Sequence, residues 1–293
     1  MMHFSYRDET EELNEFTRTE ASGSFIRLSD GFTHYELSNP EAEETVVLAH
    51  GFSVPYFIYD PTFEFLTRAG FRVLRYDLFG RGFSDRPDTH YNIDLFVRQL
   101  GDLLDALGFT KPVSLVGLST GGPITAAYTA RFPERVKKLV LIDPVGAKPF
   151  VISRVLKVAA LPVLGETIIG LLGTRGMSRV IASDFADRNF AAKVSERYRV
   201  QMKFKGFKRA ILSTIRNNML ESFLDVYERI GGMGKPVLLF WGLHDRTVPF
   251  KHSDILRAAM PQVEFHAIED CGHIPHCENP GRVNAILQRF LRT

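Results

Sequence analysis

Ser119, Asp245 and His273 are the residues whose types and order in this chain could carry nucleophilic catalysis. Ser119 lies in VSLVGLSTGG, where residues 117–121 spell G-x-S-x-G directly after a strand-like run and directly before a helix-like one. A strained turn there would expose the hydroxyl, with small neighbours making room for it. The amides opening the following helix would face developing negative charge. A serine hydroxyl needs a base, and the base needs an orienting partner. Asp245 lies in WGLHDRTVP after the run PVLLFWG, and His273 lies in EDCGHIPHCENP after VEFHAIE. The order Ser, Asp, His matches the order the turn motif calls for. His50-Gly51-Phe52 closes the run TVVLAH, so the Phe52 N–H, with that of Thr120, is placed to meet an oxyanion. The phosphate-binding spellings G-x-G-x-x-G and G-x-x-x-x-G-K-[ST] are absent from this stretch.

These loops need a sheet to converge on. SFIRLSD and FTHYELS flank Asp30-Gly31, a hairpin signal. TVVLAH, FRVLRYD, VSLVGLS, KKLVLID, PVLLFWG and VEFHAIE are short apolar runs of the kind buried on both faces of a parallel sheet. IDLFVRQLGDLLDALGF has apolar residues at helical spacing and Gly108 as its stop. ITAAYTARFP and NAILQRFL also read as helices. A hairpin followed by alternating strands and helices predicts an α/β fold with helices on both faces of a mostly parallel sheet. From about Ala147 to Lys235 no strand pattern occurs, which predicts a helical insertion between the sixth and seventh strands.

Composition narrows the class further. The 293 residues, 45% hydrophobic and 24% charged, suit a soluble globular protein with a sizeable core. A net charge of +2 gives no general reason to expect nucleic acid as a partner. The opening MMHFSYRDETEELNEF is acidic and lacks the features of a signal peptide. LKVAALPVLGETIIGLLG is interrupted by Pro162, Gly165 and Glu166, so stable membrane insertion is not expected. With only Cys271 and Cys277, a disulfide framework is not expected, and a cytoplasmic location is. The insertion holds 16 Lys and Arg against 7 Asp and Glu. That surplus reads first as a solvated basic face, and alternatively as a basic, partly apolar lid attracting anionic or amphiphilic substrates.

The set HGF, YDLFGRGFSDRP, VGLSTGG, LVLIDPVG, WGLHDRTVP and CGHIPHCENP resembles the α/β-hydrolase superfamily along nearly the whole chain. The resemblance implies an eight-stranded sheet with a helical cap after strand six. The core would be residues 1–146 and 236–293, and the cap 147–235. It implies Ser119 as nucleophile, His273 as general base and then acid, and Asp245 as the residue orienting the imidazole. Phe52 and Thr120 would form the oxyanion hole. Asp77, Gly80, Gly82 and Ser84 resemble a turn-shaping loop, and Asp143 occupies an alternative acid position ranked below Asp245. Cys271, His273, His276 and Cys277 match no closed zinc spacing, so no metal is expected.

A serine nucleophile argues against the superfamily's dehalogenases and epoxide hydrolases, which use Asp at that position. Hydrolysis of small to medium apolar carboxylic esters through an acyl-enzyme leads, with no cofactor. The alternative is similarity to C–C bond hydrolases of meta-cleavage products, which carry an Arg followed by an aromatic in the cap, as Arg197-Tyr198 do here. HGFSVP, Leu118 and Ile274 depart from that family's pattern. Leu118, Arg197 and Ile274 are thus the candidate substrate-binding residues. A non-catalytic hydrolase-fold binding protein is a third reading, disfavoured because no triad residue is lost. The sequence leaves homo-oligomerisation open.

Overall fold

In a computed structural model of the chain, residues 4, 6–150, 161–182 and 188–293 are described. Eight strands form one sheet: β1 Ser24–Leu28, β2 Gly31–Ser38, β3 Thr45–Ala49, β4 Arg72–Tyr76, β5 Val113–Leu118, β6 Val136–Ile142, β7 Val237–Gly242 and β8 Glu264–Ile268. Their order is β1-β2-β4-β3-β5-β6-β7-β8. The β1–β2 and β2–β4 pairings are antiparallel, and the rest are parallel. The six apolar runs beyond the hairpin are therefore β3 to β8. The hairpin forms one residue earlier than its Asp-Gly signal suggests: Leu28 pairs with Gly31, leaving Ser29 and Asp30 in the turn. Arg98 holds the Asp30 carboxylate there at 2.7 Å.

The helices are α1 Glu15–Thr19, α2 Asp60–Arg68, α3 Ile93–Ala106, α4 Gly121–Arg131, α5 Leu164–Ala182 (broken at Gly173), α6 Arg188–Met202, α7 Phe207–Arg216, α8 Leu224–Gly231, α9 His252–Ala259, α10 Pro275–Glu278 and α11 Pro280–Arg292. The Asn92 side chain caps α3 by accepting from Leu95 N–H at 3.0 Å, and Gly108 follows its end at φ 73°. Alternation along the strands sends residues to two apolar layers. Val47, Leu74, Leu115, Leu141 and Trp241 pack with α3, α4 and α8, whereas Val46, Leu48, Val116, Val140 and Phe240 pack with α2 and α11. Helices α5 to α8 lie in the chain between β6 and β7. Tyr198, Met202, Phe207, Ile211 and Leu212 from α6 and α7 join Ile169 and Tyr6 in a third apolar cluster, with Phe52 and Val54 against it.

Part of the basic surplus is paired with acidic residues outside the insertion. Lys208, Lys205 and Lys203 pair with Asp8, Glu12 and Glu11 of the N-terminal stretch, Arg209 with Asp88, and Arg197 with Asp60. Glu9, buried, accepts from the N–H groups of Gly206 and Lys208, both at 2.7 Å. The acidic N-terminal segment is thus a strap across α6 and α7, and opposite charges on two sequence-distant segments pair across their contact. Among the described residues, no helix is long and apolar enough to cross a membrane.

Candidate active site

Ser119 has φ 53°, in the left-handed region that non-glycine residues seldom occupy. Its N–H donates to Ile142 C=O at 2.9 Å, and its own C=O accepts from Gly122 and Val145 N–H, so the end of β6, the loop after it and the start of α4 hold the turn. Glycine is required on either side by close approach: a Cβ on Gly117 would lie 2.4 Å from Gly121 O, and one on Gly121 2.2 Å from Ala49 O. A Cβ on Gly51 would lie 3.1 Å from Ser119 Cβ, so the HGF loop runs directly against the serine.

Parallel pairing puts the C-terminal ends of β3, β5, β6, β7 and β8 along one edge, and the candidate residues follow those ends. Asp245 Oδ2 and His273 Nδ1 are 2.8 Å apart. Asp245 Oδ1 accepts from the N–H groups of Thr247 and Val248, each at 2.8 Å, which keeps that carboxylate oriented. With Nδ1 engaged by a carboxylate, proton transfer would fall to the imidazole's other nitrogen. Leu118 and Ile274, the neighbours of Ser119 and His273, are both buried in one apolar cluster.

Among the described residues, no protein acceptor takes the N–H of Phe52 or Thr120. His50 explains how the Phe52 peptide is oriented. Its Nε2 accepts from Leu78 N–H at 2.9 Å, so Nδ1 carries the proton and donates to Gly51 C=O at 2.9 Å. That carbonyl shares a peptide plane with the Phe52 N–H. Burial pushes the His50 imidazole down to about 4, so it stays neutral in this role.

The same loop is gripped from α6 and α7. Arg81, fully buried, donates from Nε to Phe52 C=O at 2.8 Å and from Nη2 to Thr214 Oγ1 at 2.8 Å. Gln201 donates to Ser53 C=O at 2.9 Å and accepts from Gly82 N–H at 2.8 Å. The sequence reading took Gly82 as turn-shaping and did not single out His50's side chain, Arg81, Gln201 or Thr214. For Gln201 and Thr214 no local pattern marks the role, because the bonds cross more than a hundred residues.

Arg197 is about half exposed, its guanidinium bonded to Asp60 and 4.0 Å from the Phe57 ring centroid. His276 packs beside Tyr59 at 5.0 Å, and burial pushes it down to about 3. Cys277 Sγ donates to Ile58 C=O, and Cys271 is buried in the core. Among the described residues, Asp143, Asp245 and His273 bring one ligand-type atom each within 4.8 Å of one another. That set is buried, and its imidazole Nδ1 is already engaged by Asp245, which does not suit a cation there.

Residues 46–286 match the family model for the alpha/beta hydrolase family. The chain belongs to that family. It is 30% identical over 292 residues to 2-hydroxy-6-oxononadienedioate/2-hydroxy-6-oxononatrienedioate hydrolase 1 of Pseudomonas putida, covering 95% of this chain and 99% of that one. Among solved structures, a meta-cleavage product hydrolase from Pseudomonas fluorescens superposes with a TM-score of 0.75 at 23% identity, over 92% of this chain and 97% of that one. A thermophilic esterase from Thermogutta terrifontis gives 0.75 at 22% identity, over 93% and 98%. The α/β-hydrolase fold, with its eight-stranded mostly parallel sheet, is thereby shared with enzymes of more than one substrate class.

Proposed function

We propose that this hydrolase is a serine hydrolase that cleaves carboxylic esters through an acyl-enzyme. The observation that carries the reading is the His273 Nδ1–Asp245 Oδ2 bond at 2.8 Å, formed at the sheet edge where Ser119 is held at φ 53°. Ser119 Oγ attacks the ester carbonyl while His273 Nε2 takes its proton, and Asp245 stabilises the imidazolium. The tetrahedral oxygen accepts from the N–H groups of Phe52 and Thr120. On collapse, His273 returns the proton to the departing alkoxide, and the alcohol leaves. Water, deprotonated by the same imidazole, then releases the acid. Apolar residues around Phe52 and Val54 suit an apolar acyl or alcohol group.

A second reading, cleavage of a C–C bond in a meta-cleavage product, is favoured by the Pseudomonas putida relative, whose name states that class of substrate. Such a diacid needs a cationic anchor as well as the triad. Arg197, the sequence's candidate for that anchor, has its charge engaged by Asp60. Ester hydrolysis asks nothing further of the site, so it stands first.

A panel of p-nitrophenyl esters of graded chain length, run beside 2-hydroxy-6-oxononadienedioate, separates the two readings. Wild type should turn over short to medium esters, and Ser119→Ala should lose roughly 10⁴-fold or more in kcat on whichever substrate is used. Activity confined to the dienoate would move the assignment to C–C hydrolysis. Full activity in the alanine variant would overturn both.

A further inference from the structure

Asp143 has no part in the chemistry described so far, yet it is among the most constrained side chains in the molecule. It follows β6 at φ 42°, in the left-handed region, and is fully buried. Oδ1 accepts from Gly242 N–H at 2.9 Å. Oδ2 is buried and receives no hydrogen bond from any donor among the described residues. Oxygens of Asp143 and Asp245 lie within 4.8 Å of each other, with His273 inside the same radius. No lysine or arginine among the described residues pairs with either carboxylate.

Two buried carboxylates so close, with no cation between them, cannot both be ionised. Asp245 has the stronger claim to the charge, because two backbone N–H groups and the His273 imidazole donate to it. Asp143 has one donor. The proton therefore belongs on Asp143, and Oδ2, the oxygen without a donor, is where it sits. The Asp245 carboxylate, within 4.8 Å, is an acceptor for that proton.

We propose that Asp143 is a positioning residue, a neutral carboxylic acid whose Oδ2–H donates to the Asp245 carboxylate and holds it as the acceptor for His273. The proposal rests on the reading in which Asp245 and His273 serve Ser119. Its effect is to satisfy a lone pair of Asp245 that would otherwise be bare in the core, making that carboxylate a weaker base. Burial first, and the Asp245 charge second, hold Asp143 well above the usual carboxylate range. The other titratable groups facing the pair are Glu278 and Cys271 beside Asp143, His276 beside His273, and His252 with Lys148 and Lys251 on the Asp245 side.

Asp143→Asn keeps the shape, and its amide N–H₂ can donate to Asp245 as the carboxyl does. Asp143→Leu keeps the volume and removes the donor. The His273 imidazole is titrated by NMR in each protein, alongside the pH profile of kcat/KM on a p-nitrophenyl ester. The expected result is an imidazole pKa in Asp143→Asn within about 0.3 of wild type, and one raised by about a unit in Asp143→Leu. A fall of about a unit or more in Asp143→Asn would mean that a negative charge had been removed, and would overturn the proposal. So would identical titrations in the two variants. If neither variant folds, wild type labelled with ¹³C at the aspartate carboxyls decides: one buried aspartate should keep a protonated-carboxyl signal from pH 5 to 8, and its absence would overturn the proposal. The NMR titrations need no turnover, so a failure of Ser119→Ala to lose activity would sink the proposed function while leaving the protonation state of Asp143 to be read by NMR.

Discussion

Ser119 occupies a backbone conformation that costs on the order of 1–3 kcal/mol, and its neighbours enforce it. Gly121 shows how little room remains. An alanine there would put its Cβ 2.2 Å from Ala49 O, against backbone that sits in the middle of the sheet and has nowhere to go. Gly121→Ala should therefore destabilise the fold by about 3 kcal/mol, the upper end of overpacking costs, and displace the hydroxyl. Urea unfolding beside labelling by a serine-reactive fluorophosphonate checks both halves. Wild-type stability with full labelling would contradict the steric argument. Ser119 and the glycines of its turn were legible in the sequence because the constraint is local. Asp143 was ranked as a spare acid, since nothing in LVLIDPVG indicates which carboxyl will face it once β6 and β7 pair.

The HGF loop after β3 is held by elements far from it in the chain. Gln201 of α6 bridges Ser53 C=O and Gly82 N–H, and Arg81 bridges Phe52 C=O to Thr214 of α7. Gln201→Leu would leave a buried donor and a buried acceptor unpaired, at about 1–3 kcal/mol each. Because the affected loop bears the proposed oxyanion donor, kcat should fall about tenfold while KM changes by less than about twofold. Steady-state kinetics on one ester tests the split, and a rise in KM alone would point to damage in the substrate pocket instead. The sequence supported helices in this insertion from the lack of a strand pattern there. It did not reveal that their polar residues reach the core loops, because such bonds depend on how α6 and α7 pack and leave no period in the chain.

Three buried histidines shape the pH response of the whole molecule. His34 donates from Nδ1 to Asp77 at 2.7 Å and from Nε2 to Ser22 C=O at 2.6 Å, so it is an imidazolium. Burial opposes that charge, but the Asp77 carboxylate outweighs it and raises His34 above 6.5. Its contribution is complete below pH 6.5 and is lost as pH rises through the folded value. His50 and His276 go the other way, pushed by burial from 6.5 to about 4 and about 3. The unfolded chain takes up protons below pH 6.5 that these two refuse, so acidification costs about 1.4 kcal/mol per pH unit for each until the folded values are reached. Tm measured from pH 4 to 9 should fall on both sides of about 6.5. His34→Gln should flatten the alkaline limb, and His276→Leu should flatten the acid one. An unchanged alkaline limb in His34→Gln would mean that His34 is neutral in the fold.

What the sequence determined by itself is what short-range physics writes into it: apolar runs long enough for strands, Gly108 at a helix end, glycines around a serine, and acid and histidine following later strands in order. Those features set an α/β fold, and the resemblance of its motifs to the α/β-hydrolase superfamily implied the candidate triad, because each motif is a few adjacent residues. The tertiary structure alone decided which groups share a proton, which peptide His50 orients, and why the basic insertion and the acidic N-terminus attract. Each of these depends on distances between segments that are remote in sequence. The energies involved come from burial, which removes the water that would otherwise screen and satisfy them.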